Sequence, residues 1–273
     1  MVERKIFLAV LFTLSVTAGF FFGYNKSKPF QYEVAKKLNQ IAVKHVEEKR
    51  PPVKVPIAIY HSVRPHIKGE SKEQDRYDIT PELLMKQLQY LKANGYTTIS
   101  FDTLADYFDT GKTLPVKPVI LSFDDSWRNQ YQNAFPLLVQ EKMSATFFVF
   151  TNSLNRKNHL TWNETREMKA AGMEIGSHTK FHPYLDQVAS VALLDNEVIG
   201  SKKILEESIG TTTAFAYPFG EHSTSSVNEV KRAGYRVART ILGGNMQSEG
   251  EKYTLRGFIV SDDLAEFIRT IEK

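Results

Sequence analysis

A distorted (β/α) barrel of seven or eight strands is the fold this sequence predicts, on three observations. From Pro56 onward, short β-rich runs alternate with segments of helical period. Eight runs qualify as strands, enough to close a parallel sheet on itself. Polar residues suited to chemistry fall repeatedly just after those runs, at the end where barrel enzymes carry their sites.

The candidate strands are Ile57–Tyr60, Thr97–Ser100, Val119–Phe123, Thr146–Phe150, Met173–Gly176, Ala214–Tyr217, Arg236–Arg239 and Leu255–Val260. Between them the apolar period predicts helices at Pro81–Asn94, Gln130–Lys142, Asn163–Ala171, Ser190–Ser208, Ser225–Ala233 and Asp263–Ile271. Residues 56–273 are therefore read as one domain, well within the size of a single α/β barrel.

Ahead of the barrel, Arg4 and Lys5 precede an almost unbroken apolar run from Ile6 to Tyr24, long enough to cross a bilayer as a helix. Residues 1–24 are expected to be a signal anchor or signal peptide. Val16-Thr17-Ala18 offers a small-residue cleavage site, whereas Phe20-Phe21-Phe22 extends the run past it and favours an uncleaved anchor. Residues 25–55 read as a basic helical spacer ending before Pro51-Pro52. Its thin stripe of Val34, Leu38, Ile41 and Ala42 fits a stalk, or packing on the domain or on lipid. The expected location is extracytoplasmic, tethered to the membrane or secreted if the segment is cleaved.

Charge follows the same division. Residues 1–55 carry 10 Lys and Arg against 4 Asp and Glu; the remaining 218 residues carry 25 against 27, a net of −2. The basic pI of 9.0 thus belongs to the tail and speaks for an anionic membrane surface, not for nucleic acid. The chain has no Cys, so a disulfide framework, a lipoprotein anchor and a thiolate metal site are all excluded.

Within the domain, Asp124 and Asp125 end an apolar strand. Two adjacent carboxylates repel unless a cation or proton compensates, although one of them capping the following helix is the plainer alternative. His178 and His182, four residues apart, can face one way as metal ligands, a weak signal by itself. With Asp125 they make a three-ligand set that leaves a position for water, the arrangement of a catalytic metal.

The ordered segments Ser122-Phe123-Asp124-Asp125, Ser177-His178-Thr179-Lys180-Phe181-His182-Pro183 and Tyr217-Pro218-Phe219-Gly220 resemble the motifs of the polysaccharide deacetylases, carbohydrate esterase family 4. The resemblance implies Asp124 as catalytic base and Asp125, His178 and His182 as ligands of one divalent ion, zinc above cobalt, nickel or manganese. It implies Tyr217, Pro218 and Phe219 as a groove wall, with the Phe219 N–H helping to hold the oxyanion.

Two motif residues are missing. The Arg that many members carry two positions before the third-motif Pro is Ala216 here, and Arg256 is the expected replacement, an ordinary strand-end cation being the alternative. The late Leu-x-His motif is absent, because no His follows His222. His61, at the end of the first barrel strand, is expected to supply the acid, with His222 as second choice; a packing or capping His61 is the alternative. This arrangement resembles the poly-N-acetylglucosamine deacetylase branch. His45, His66 and His159 read as solvated. Trp127 and Tyr184 adjoin the motifs and join Phe219 as candidate sugar-stacking rings. The activity expected is removal of acetate from an extracellular N-acetylglucosamine polymer, poly-β-1,6-N-acetylglucosamine or a related exopolysaccharide. Peptidoglycan deacetylation, a catalytically weak glycan-binding domain and a structural domain are the competing readings.

Overall fold

The computed structural model describes residues 50–71 and 77–273. The apolar segment Ile6–Tyr24 and the spacer as far as Lys49 lie outside the described residues. Among those described, no helix is long and apolar enough to cross a membrane.

The folded unit begins at Arg50, ahead of the expected boundary at 56. Strand β1 (Val53–Lys54) pairs antiparallel with β11 (Met246–Gln247), and the Arg50 N–H donates to Glu249, so the end of the expected spacer is held by the domain. The barrel strands are β2 (Ile57–Tyr60), β5 (Thr97–Thr98), β6 (Pro118–Phe123), β7 (Thr146–Val149), β8 (Glu174–Ser177), β9 (Ala214–Ala216), β10 (Val237–Arg239) and β12 (Phe258–Ile259). Short strands β3 (Ser62–Val63) and β4 (Asp78–Ile79) pair with each other beside them.

The main sheet runs β10-β9-β8-β7-β6-β2-β12, every pairing parallel, and β5 takes the first two residues of β6. The last predicted strand is shorter than expected. Leu255, three residues ahead of β12, forms a single parallel bridge to Arg239 of β10, which links the two edges of the curled sheet. A distorted barrel results, as the sequence predicts.

Helices α1 (Pro81–Ala93), α3 (Phe135–Glu141), α4 (Trp162–Ala170), α5 (Val191–Ile209), α6 (Thr224–Arg232) and α7 (Leu264–Glu272) occupy the predicted positions within a few residues. The helix expected over Gln130–Lys142 starts as a π-helical turn, Gln130–Ala134, before α3. Helix α2 (Phe101–Thr110) is not among the predicted elements, although Phe101, Leu104, Ala105 and Phe108 repeat at helical spacing after the capping Ser100. It plugs the N-terminal opening of the barrel. Arg236, just before β10, bonds Asp102, Asp106 and Asp109 of α2, and partly buried Glu174 at the start of β8 accepts the Phe101 and Asp102 N–H groups at 2.9 and 3.0 Å.

Strand alternation then sorts the side chains. Ala58, Tyr60, Leu121, Phe123, Phe147 and Val149 pack outward under the helices with Leu84, Leu88, Leu138 and Met168. Ile57, Ile120, Phe148, Ala214, Ala216 and Val237 pack on the concave face with α2. Close packing there needs glycine: a Cβ on Gly176 would stand 2.4 Å from the Phe148 ring. Continuing the same two-residue step to the C-terminal ends carries the inner face from Ile57 to His61, from Ile120 to Asp124, from Gly176 to His178 and from Val237 to Arg239.

Candidate active site

Three of these inward positions, His61, Asp124 and His178, line a cleft of about 1190 Å³ at the C-terminal mouth together with Asp125 and His182, and the fourth, Arg239, is buried against Asp124. The backbone reaches this arrangement at a cost. Asp125, Ser126, Thr179, His182 and Phe219 all lie at positive φ, between 59° and 71°. For side chains other than Gly such conformations cost about 1–3 kcal/mol each and persist where surrounding bonds impose them. Here the Asp124 N–H donates to Tyr60 O at 2.9 Å, the Phe150 N–H donates to Ser126 Oγ at 3.1 Å, and the His182 N–H donates to Thr179 Oγ1 at 2.9 Å. Buried Gln130 ties the strand ends together, its Nε2 donating to the carbonyls of both His61 and Asp124.

Asp125, His178 and His182 converge. His182 Nε2 is 3.1 Å and His178 Nε2 is 3.5 Å from Asp125 Oδ1, and the two Nε2 atoms are 3.2 Å apart. Two imidazoles bound at 2.0–2.1 Å to a tetrahedral ion would be about 3.3 Å apart, so the triangle fits a divalent cation. His178 Nδ1 lies 2.8 Å from Ala216 O; donating there fixes the tautomer that leaves Nε2 as a lone-pair donor. Burial alone would raise the Asp125 pKa. The His178 and His182 rings against it, with the charge at His61, outweigh burial and hold the carboxyl well below its usual range. Among the described residues this is the one such group of potential ligands.

Asp124 faces a different partner. Arg239, with no exposed surface, brings Nη2 to 2.5 and 2.6 Å from the two Asp124 oxygens, while its guanidinium stands 5.1 Å from the centre of the Phe148 ring. Arg239, and not Arg256, orients the carboxylate. Arg256 precedes β12 instead of ending a strand, its side chain is 42% exposed, and its nearest carboxylate is Glu251 at 3.6 Å. Arg256 lies ahead of the last strand, away from the strand ends that carry the site. Arg239 was legible by the rule that selects His61 and Asp124, since it ends a strand on the inner face.

His61 lies where expected, on the cleft wall with its ring 4.8 Å from that of Tyr77. Burial lowers its pKa, and the charges on Asp124 and Asp125 pull it back up. His222 does not line the cleft; it leans on Tyr217 with Nδ1 3.3 Å from Gly220 O. Tyr217 is buried, its hydroxyl donating to Tyr253 O, and contributes cleft floor. Pro218 is buried and forms no part of the lining, contrary to its expected place in the groove wall. Phe219 and Tyr184 are about two-fifths exposed and stack with centroids 3.8 Å apart at 8°. His159 is not simply solvated: it stacks on Trp127 at 5.0 Å and lines the cleft. The rings of Trp127, His159, Phe150, His182, Phe219 and Tyr184 form a continuous arc, each within 5.6 Å of the next, beside the ligand triangle.

A parallel α/β barrel that sets an Arg-held carboxylate beside a His₂Asp ligand group at its mouth is a hydrolase scaffold. Comparison with known proteins points to one family: residues 111–238 match the polysaccharide deacetylase family model, so the chain carries a domain of that kind, whose members are hydrolases of acetamide bonds. A poly-beta-1,6-N-acetyl-D-glucosamine N-deacetylase of Staphylococcus epidermidis is 28% identical over 212 residues, covering 72% of each chain. The deacetylase PplD of Streptococcus pyogenes, solved with acetate, superposes with a TM-score of 0.75 at 28% identity, covering 82% of this chain and all of that one. IcaB from Ammonifex degensii superposes with a TM-score of 0.69 at 25% identity over 80% of this chain and 96% of its own.

Proposed function

We propose that this protein removes acetyl groups from an extracellular polymer of N-acetylglucosamine, poly-β-1,6-N-acetylglucosamine or a related exopolysaccharide, with a divalent metal ion, zinc by preference. The observation that carries the reading is the pairing of buried Arg239 with Asp124 next to the Asp125, His178 and His182 triangle. A purely glycan-binding domain has no use for a carboxylate gripped by a buried guanidinium beside a ligand set. The resemblance to the Staphylococcus epidermidis enzyme supports the polymer.

Held by Asp125, His178 and His182, the cation would supply Lewis acidity to the acetamide carbonyl and lower the pKa of water at the site. Asp124, aimed by Arg239, takes the proton of the attacking water. The Phe219 N–H, displayed by the left-handed turn, stabilises the charge that develops on the acetyl oxygen. His61, in its protonated form, donates to the departing nitrogen as the C–N bond breaks. The Tyr184 and Phe219 rings offer a flat apolar face to a pyranose. Water and acetamide give acetate and a free amine, which leaves the polymer with a cationic glucosamine. The apolar run Ile6–Tyr24 supports action outside the cytoplasm from a membrane anchor, or after secretion if the run is cleaved.

Acetate release from β-1,6-linked and β-1,4-linked N-acetylglucosamine oligomers, measured with the zinc-loaded full chain and its Asp124→Asn variant, tests the reading. Release by the parent alone, faster from the β-1,6 oligomers, is expected. Preference for β-1,4 oligomers would move the substrate to wall-type glycans, and no release by a folded, metal-bound parent would reject the deacetylase reading.

A further inference from the structure

The buried face of α5 holds a residue that its period does not call for. Leu194, Val198 and Leu205 fill the stripe facing the barrel, and Leu194 and Val198 pack with Leu185 and Tyr217. Glu197 sits in the same stripe with only 6% of its surface exposed. A carboxylate in such a position is costly unless donors satisfy it.

The donors come from the turn that carries both imidazoles. Glu197 Oε2 accepts the backbone N–H of Lys180 at 3.1 Å and that of Phe181 at 2.8 Å. Those two residues lie between His178 and His182, in the stretch where Thr179 and His182 take left-handed backbone conformations. Neighbouring groups on α5 grip the same segment: Asn196 Oδ1 accepts from Lys180 Nζ at 2.9 Å, and the Ser201 and Ser177 hydroxyls are 2.9 Å apart. The Phe181 side chain is half exposed and offers the turn little packing, so hydrogen bonds must fix it. Charge-assisted bonds from a buried carboxylate are the strong kind.

We infer that Glu197 is a positioning residue for the metal centre, a clamp that holds the His178–His182 turn so that both Nε2 atoms meet Asp125. The inference rests on the metal-site reading above. Glu197 touches neither the ligand position nor the cleft; it acts through the two amides.

Zinc affinity, measured on the full chain by competition with a chromogenic chelator, gives the first test. Glu197→Ala is expected to weaken binding by about 10- to 100-fold, the effect typical of losing a group that orients a ligand. Glu197→Gln is expected to retain most of the affinity, because a single oxygen accepts both bonds. Loss of thermal stability in the Ala variant with unchanged zinc affinity would overturn the inference, leaving Glu197 a purely structural group. Amide hydrogen exchange of the metal-free parent gives a second test that needs no variant. Lys180 and Phe181 amides should exchange far more slowly than free peptide amides, and exchange at free-peptide rates would overturn the clamp. If the parent bound no zinc at all, the metal-site reading would fail, and the exchange rates would still decide whether the clamp exists.

Discussion

Arg239 Nη2 lies 2.5 Å from one Asp124 oxygen and 2.6 Å from the other, and neither side chain is more than 4% exposed. In that position the guanidinium takes the place of water as the carboxylate's partner. Removing one partner of such a pair leaves the other ionised in the interior, which costs about 3–5 kcal/mol. Arg239→Ala should therefore lower the unfolding free energy by about that amount in chemical denaturation and reduce kcat by at least about 100-fold, in the range seen when a positioned charge is lost from an active site. Arg256→Ala, on an exposed side chain, should shift stability by less than about 0.5 kcal/mol and leave kcat unchanged. Equal losses in the two variants would return the orienting role to the surface.

The Tyr184 and Phe219 stack should act on binding more than on chemistry. A pyranose that buries about 40 Å² of apolar surface on one ring gains about 1 kcal/mol at ~25 cal/mol per Å², which corresponds to a factor of about 5. Tyr184→Ala should raise KM for N-acetylglucosamine oligomers by that factor with little change in kcat, read from steady-state acetate release. A fall in kcat at constant KM would place Tyr184 in the reacting machinery instead.

The fold was legible because the strands keep a strict inward and outward alternation between turn signals, and the site was legible because its residues end those strands. Asp125, His178 and His182 were brought together as the sequence implies, with Asp124 and His61 on the same wall. Arg239, a cation beside Val237, Ala238 and Thr240, reads locally as one more strand residue, and only its inward register at the strand's end marks it out. The last strand starts only at Phe258, after Arg256, and Leu255 makes no more than a single bridge to Arg239. Helix α2 is harder to read, although Phe101, Leu104, Ala105 and Phe108 keep helical spacing, because only two strand residues and the Ile99-Ser100 link precede it. The clamp by Glu197 depends on a contact across 16 residues, and no local pattern announces which buried carboxylate serves which turn.

Metal removal should be visible without any substrate. A ligand that binds only the folded chain, at 100 times its dissociation constant, adds about 2.7 kcal/mol; for a domain of this size each kcal/mol moves Tm by about 2–4 °C. Chelation of the zinc-loaded protein should lower Tm by about 5–10 °C, a figure that follows from those two quantities. The His178→Ala variant should show no zinc-dependent shift. A parent whose Tm ignores both zinc and chelator would remove the metal from the reading.

Glu174 ties stability to pH at the opposite end of the barrel. Burial raises its pKa above the ordinary 4.5, against the opposing hydrogen bonds from Thr146 and from the Phe101 and Asp102 N–H groups. The folded state therefore holds this proton more tightly than the unfolded state does, and stability from this group is complete below pH 4.5 and lost as pH rises through the folded value. Glu174→Gln cannot titrate; its altered hydrogen bonds to α2 shift stability by an amount that does not depend on pH. The parent's unfolding free energy minus that of the variant should accordingly fall as pH rises from 4.5, then level off above the folded pKa. Denaturant unfolding of both proteins at several pH values measures the difference directly, with the other carboxylates cancelling between them. A difference that grows with pH would mean that the α2 amides and Thr146 outweigh burial and stabilise the carboxylate anion.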